Sequence, residues 1–273
     1  MKIALAFFGQ PRYLNDPVII EQWSRIIREL EGVGHEIESY AYFWKSVSNI
    51  RINDDYHEFV KSEEADLTID DFCKSTNMKR IEFGDCGDLD THVAQCFNWN
   101  NLTKMRVDME VLDTGRATMG QWYSTERVLN MVSESNINYD YVVRIRPDLL
   151  FSKSHLSFYK NIIESMVGKN PMLGVPQIRI IRGTPIAVDW FTVISGNIVN
   201  EFANNLSNDM AAHISALFTE PDSPLSIQEG AFYRFLTKRG YDTSPLVDPV
   251  LRIYRGIDDK NSHNWKWPNF KVT

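Results

Sequence analysis

The stretch Tyr139–Phe151, reading YDYVVRIRPDLLF, carries three charged side chains at close spacing: Arg144, Arg146 and Asp148. Val142, Val143 and Ile145 are β-branched and follow aromatic residues, so the run predicts a buried strand. Residues at i and i+2 share one strand face, which puts both guanidiniums on the same side. Planar, bidentate donors at that spacing suit a diphosphate. The carboxylate beside them could orient the arginines, hold a divalent metal such as Mn²⁺ or Mg²⁺, or accept a bond from a sugar hydroxyl. The competing reading is an Arg–Asp salt bridge that caps the strand. In open α/β sheets ligands collect at the carboxyl ends of strands, so the ends of strands are where further candidates belong.

The first such end is Gly9-Gln10-Pro11-Arg12, just past the strand-like run Lys2–Phe8. It is neither G-x-G-x-x-G nor a P-loop, which leaves dehydrogenase and P-loop readings unsupported. Asp88-Leu89-Asp90 is a literal D-x-D, able in principle to grip a cation on a diphosphate. It follows Gly84-Asp85-Cys86-Gly87 rather than a long apolar strand, so a loop or helix cap is expected there. Asp189-Trp190 pairs a carboxylate with an aromatic at a strand edge, a combination that binds sugars; core packing accounts equally for Trp190. Glu229 lies three residues after Ser226, which fits a capping box, and alternatively fits a general base for an acceptor hydroxyl. The tail interleaves Lys260, His263, Trp265, Lys266, Trp267, Phe270 and Lys271, which suits stacking on a nucleotide or packing as a C-terminal arm.

These groups need a scaffold, and the apolar pattern supplies one. Lys2–Phe8 is a strand. Asp16-Pro17 opens a helix whose stripe is Ile19, Trp23, Ile26, Ile27 and Leu30. Glu36–Trp44 is a second strand. Strand–helix–strand at the start predicts an α/β protein with a mainly parallel, Rossmann-like sheet. A helix is expected near Asp55–Ala65, a short strand over Arg80–Phe83, and a helix over Thr118–Val132. Beyond the arginine strand come a helix at Ser157–Val167, strands at Gln177–Ile181 and Val188–Ile194, one helix from Val199 to Leu217, and one from Ser226 to Lys238.

The chain has 273 residues, 43% of them hydrophobic, which is enough for one large core. No linker or repeat divides it, so residues 1–273 are read as one domain, with a donor side over roughly 1–152 and an acceptor side over 153–273. A net charge of −7 argues against a coat for non-specific nucleic-acid binding. Cys73, Cys86 and Cys96 show no zinc spacing and suggest reduced thiols in a cytoplasmic setting. MKIALAFFGQPR lacks a small-residue cleavage site and reads as the first strand, not a signal peptide. No run approaches the ~18 apolar residues of a membrane span.

In order along the chain stand FFGQPR, GQWYSTERVLNMV, YDYVVRIRPDLLF, DWFTVISGN and IQEGAFYRFL. This ordered set resembles bacterial and viral glycosyltransferase-like proteins of the GT-A type that carry an R-x-R-x-D strand in place of D-x-D. The resemblance implies a GT-A-like fold and a nucleotide-diphosphate sugar donor, expected to be UDP-linked, lying across the sheet. It places Gly9, Gln10 and Arg12 at the nucleotide end. Arg144, Arg146 and Asp148 would meet the diphosphate, sugar or metal, Trp190 would join the donor-binding residues, and Asp189 and Glu229 would lie on the acceptor side as candidate bases. The acceptor would be a glycan, a small molecule or, as in phage enzymes, DNA with hydroxymethylated bases. Metal dependence is left open, since two arginines could neutralise the leaving diphosphate, with Asp88, Asp90 and His263 as further cation ligands. A non-catalytic nucleotide- or glycan-binding module on the same scaffold is the alternative from another class.

Overall fold

The computed structural model describes residues 1–11, 13–47, 50–53, 56–59, 63–64, 69–96, 109–151, 157–167, 173–175, 178–181, 184–187, 189, 191–219, 227–246 and 251–253. Seven strands form the central sheet: β1 (Lys2–Gly9), β2 (Glu36–Trp44), β3 (Met78–Gly84), β4 (Tyr141–Ile145), β5 (Leu173–Val175), β6 (Phe191–Ser195) and β7 (Thr243–Pro245). Their order across the sheet is β7-β5-β6-β4-β1-β2-β3. The strands β3, β2, β1 and β4 are parallel to one another, as are β5 and β7, while β6 runs antiparallel to both its neighbours. The α/β expectation with a mainly parallel sheet therefore holds.

Side chains on β1 alternate between two layers. Ile3, Leu5 and Phe7 join one core with Trp23, Ile26 and Leu30 of α1 (Pro17–Gly32) and Phe72 of α2 (Asp70–Ser75). Ala4, Ala6 and Phe8 join the other, with Trp122, Leu129 and Val132 of α4 (Met109–Glu134). That second layer also takes Leu89 and Val93 of α3 (Cys86–Cys96), Phe202 of α5 (Val199–Ala203), Met210 and Ile214 of α6 (Leu206–Thr219), and Phe232 and Phe235 of α7 (Ile227–Lys238). The α1 helix starts as its sequence dictates: the Asp16 carboxylate accepts from the Val18 N–H at 2.9 Å, and Pro17 occupies the first turn.

From β1 the chain crosses through α1 to β2 and then β3 on one side. It returns through α4 to β4 on the other side of β1. The order of strands thus reverses between β1 and β4, and the two crossover helices lie on opposite faces.

Three expected elements differ. The helix placed near 55–65 is replaced, where described, by extended pieces: Tyr56–Phe59 pairs with Ile50–Asn53, and Glu63–Glu64 pairs with Ser46–Val47. Tyr56 and Phe59 contribute the β-favouring aromatics that a charge-rich reading of the segment overlooked. The single helix over 199–217 is broken in two at Asn204–Asn205, where Asn205 takes φ +59°. The arginine strand stops at Ile145, because Pro147 lacks the N–H a ladder needs; Leu149–Phe151 then leaves the sheet to pair with Leu251–Ile253.

Candidate active site at the carboxyl ends of the parallel strands

Register fixes what meets at this edge. Phe7, Ile145 and Phe191 lie side by side across β1, β4 and β6. Gly9 is two residues beyond Phe7, and Pro147 is two beyond Ile145. Because β6 runs the other way, the residue two before Phe191 reaches the same edge, and that residue is Asp189. Gly9 takes φ +102°, a backbone conformation that glycine alone adopts without strain. The α4 helix ends at Glu134, which pairs with Arg80 near the start of β3, so its earlier residues lie toward this edge.

Arg144 is the side chain that departs furthest from surface behaviour. It is fully buried. Its register partners on either side are Ala6 and Thr192, both small, which makes room for it to lie over the sheet. The guanidinium carbon sits 4.0 Å from the centre of the Phe8 ring and 4.5 Å from that of Trp122. Nε donates to Thr125 Oγ1 at 3.0 Å and Nη1 donates to the Asp189 carbonyl at 2.6 Å. Nη2 has no hydrogen-bond partner among the described residues, and the flanking π-faces stabilise the cation. Burial lowers the Arg144 pKa to about 9, aided by the Arg146 charge and opposed by Asp189. The residue thus serves from within the core: it fixes the Asp189 backbone and stacks α4 on the sheet.

Arg146 and Asp148 form a fork. Nε donates to Oδ1 at 2.9 Å and Nη2 donates to Oδ2 at 2.7 Å. Asp148 is buried, with its side chain 2% exposed, against 25% for Arg146. Burial works against the Arg146 cation, but the charge and hydrogen bonds of Asp148 outweigh it and raise the pKa. With Nε and Nη2 on Asp148, the Nη1 side of the guanidinium faces away from that carboxylate.

Asp189 is buried, and its Oδ2 accepts from Gln121 Nε2 at 2.9 Å. Taken together, two arginines and two aspartates make this cluster formally neutral. Glu229 lies in the first turn of α7 and is half-buried. One turn further on, Phe232 packs against Trp122 with ring centres 4.9 Å apart, so α7 reaches Arg144 through two aromatic contacts. Arg12, Trp190, Ser226 and the tail with His263 lie outside the described residues.

Asp88 and Asp90 are in the first turns of α3, and both are exposed. On a helix, positions i and i+2 point roughly 200° apart, so this D-x-D does not chelate one ion. Among the described residues no group of three or more His, Cys, Asp or Glu gathers in metal-binding geometry. Asp148 turns both oxygens to Arg146. The described donors do not fit a resident divalent metal.

Gln121 and Thr125 are partners that no local pattern singles out, although both lie within the GQWYSTERVLNMV segment that carries part of the resemblance. Gln22 does carry a signal, a polar residue inside the α1 apolar stripe, whereas Trp23 is indistinguishable from the core residues of that stripe.

No protein-family model matches the sequence, and no curated protein matches it. Among solved structures, the chain is similar to the apo form of mouse xyloside xylosyltransferase 1. The two share 7% identity and a TM-score of 0.39, over 90% of this chain and 84% of that one.

Proposed function

We propose that this protein is a glycosyltransferase that moves a sugar from a nucleotide-diphosphate donor, UDP-linked in the first instance, to an acceptor hydroxyl. The observation that carries the reading is the reversal of strand order between β1 and β4. In an open α/β sheet the crevice at such a point is where a nucleotide binds, and here Gly9, Arg146, Asp148 and Asp189 reach that edge together. Gly9 lets the backbone turn beside the nucleotide, with Gln10 and Arg12 following it. Arg146 offers its Nη1 side to the diphosphate while Asp148 holds the fork in plane. Arg144 acts at one remove, by fixing Asp189.

Transfer requires that the acceptor oxygen lose its proton as it attacks the anomeric carbon and the bond to the diphosphate breaks. Asp189 is our first assignment for the base. Gln121 holds one of its oxygens and Arg144 its backbone, so the carboxylate is oriented before substrate arrives. Glu229, at the start of α7, is the second. The formal neutrality of the two-arginine, two-aspartate cluster favours one other reading, a module that binds a nucleotide or glycan without turnover.

A panel of nucleotide sugars tests the proposal. The correct donor raises the melting temperature by mass action and is hydrolysed slowly without acceptor. Binding without hydrolysis or transfer supports the module; no binding by any member refutes both. Asp189→Asn is expected to keep donor binding and lose most transfer, with Glu229→Gln retaining it. The reverse outcome gives the base to Glu229.

A further inference from the structure

The turn that displays Arg146 and Asp148 is not held by the central sheet. The β4 ladder ends at Ile145, and Leu149–Phe151 pairs only with Leu251–Ile253 in the described ladders. Within the turn itself the one backbone bond runs from the Leu149 N–H to the Arg146 carbonyl at 3.4 Å, which is long. Other groups must therefore fix it, and two consecutive residues of α1 do so. Gln22 Nε2 donates to the Leu149 carbonyl at 2.7 Å, and Gln22 Oε1 accepts from the Phe151 N–H at 2.9 Å. Trp23 Nε1 donates to the Pro147 carbonyl at 3.0 Å.

The arrangement is specific. Gln22 is only 6% exposed, on a helix face otherwise given to Ile19, Trp23, Ile26, Ile27 and Leu30. An amide there is tolerated only because both its ends are satisfied. Its two bonds run in opposite senses, which fixes the amide orientation: a flip would set donor against donor. Trp23 is itself locked edge-on against Phe7 at 4.7 Å and Phe151 at 6.3 Å, so its N–H has little freedom to follow a moving turn. The same helix begins at Asp16, immediately after the Gly9–Asn15 connection. One rigid element therefore joins both loops at the strand-order reversal.

We propose that Gln22 and Trp23 are positioning residues. Through the backbone of 147, 149 and 151 they set the aim of the Arg146–Asp148 fork relative to β1 and its loop. This rests on the donor-site reading above. Neither side chain contacts substrate, so their loss acts on alignment, where a shift of about 1 Å can cost on the order of a hundredfold in rate.

The test uses Gln22→Met, which keeps length and apolar packing but removes both bonds, and Trp23→Phe, which keeps a ring and removes the N–H. Each full-length variant is measured well below its melting temperature, with the donor that the wild type turns over. The expected result is a kcat at least tenfold lower, with the donor KM within about threefold of wild type. Faster hydrogen exchange at the Leu149 and Phe151 amides and at Arg146 Nε–H should accompany it. A folded variant of either kind with wild-type kcat overturns the proposal, whatever its melting temperature. If Gln22→Met does not fold, Trp23→Phe alone decides. If the wild type turns over no nucleotide sugar, the donor-site reading fails. The exchange measurement then judges the clamp by itself: unchanged protection at Arg146 Nε–H and Phe151 in the variants refutes it, and loss at both sustains it.

Discussion

Replacing Arg146 with methionine strands a carboxylate in the core. Asp148 has a side chain 2% exposed, and both its oxygens are directed at Arg146. Removing one partner of a buried pair costs about 3–5 kcal/mol, because the remaining charge is left uncompensated. Arg146 is a quarter exposed, and water entering along its path relieves part of this, so about 3 kcal/mol is expected for Arg146→Met. Asp148→Leu leaves a cation that can turn to solvent, and should cost about 1–2 kcal/mol. The double variant Arg146→Met/Asp148→Leu leaves no charge behind and should lie within about 1 kcal/mol of wild type. The coupling between the two sites is then about 3–5 kcal/mol. Urea denaturation with a shared m-value measures it. Additive single effects, or an Arg146→Met cost under about 1 kcal/mol, would refute the picture of a desolvated fork. The same cycle isolates function, since the double variant is folded yet lacks the guanidinium. Its donor affinity should fall at least tenfold, and unchanged affinity would remove Arg146 from the diphosphate site. Arg146→Lys should rescue poorly, because a point charge cannot span both carboxylate oxygens.

Arg144 carries a pH signature. Its folded pKa is about 9, below the ordinary 12.5, so above pH 9 the unfolded chain holds more protons than the folded one. Relative to Arg144→Met, wild-type stability should be flat below pH 9 and then rise by up to about 1.4 kcal/mol per pH unit; parallel stability curves through pH 10.5 would show that the cation is not desolvated. Gly9→Ala meets no steric obstacle within 4 Å among the described residues but forces φ +102° on a side-chain-bearing residue, and should cost about 1–3 kcal/mol together with donor affinity. A fully stable variant by thermal denaturation would contradict that. Activity should survive EDTA at least in part; complete loss, with full recovery on Mn²⁺, would show that the donor arrives with a required cation.

Much of the frame was legible because periodicity is a local property. The alternation in Lys2–Phe8, the stripe of α1 and the aromatic alternation in Glu36–Trp44 each announce their element. The apolar pattern marks α4 over Thr118–Val132, whereas the helix spans Met109–Glu134, since Asp113 and Gly115 blur the pattern of its first turns. The hairpin of Ile178–Ile181 with Thr184–Ala187 was half seen, because Pro185 argues against a strand that its edge position permits. At the site, the charges and an Arg–Asp pair capping the strand were legible, and which arginine makes that pair was not. Nothing in R-x-R-P-D says that Arg144 lies under Trp122 while Arg146 turns to Asp148; Ala6 and Thr192, distant in sequence, decide that. Gln22 and Gln121 act on residues 127 and 68 positions away, beyond the reach of any local pattern.

The reversed direction of β6 has a consequence for how such a protein can change. A strand laid against its neighbours gives the ligand edge the chain that precedes it, not the chain that follows. Here that chain is the hairpin Ile178–Ala187, closed by its own four-pair ladder. It belongs to no ladder of the central sheet, so changes at exposed positions such as Ile180 leave the register of that sheet intact, while Ala187 is held in the core. The turn that carries Arg146 and Asp148 has no such freedom, since it is tied to Gln22 and Trp23 of α1. On the glycosyltransferase reading proposed above, grafting the exposed positions of this hairpin should change what is modified before it changes what is donated, as long as the packing of Thr184–Ala187 on α7 is kept.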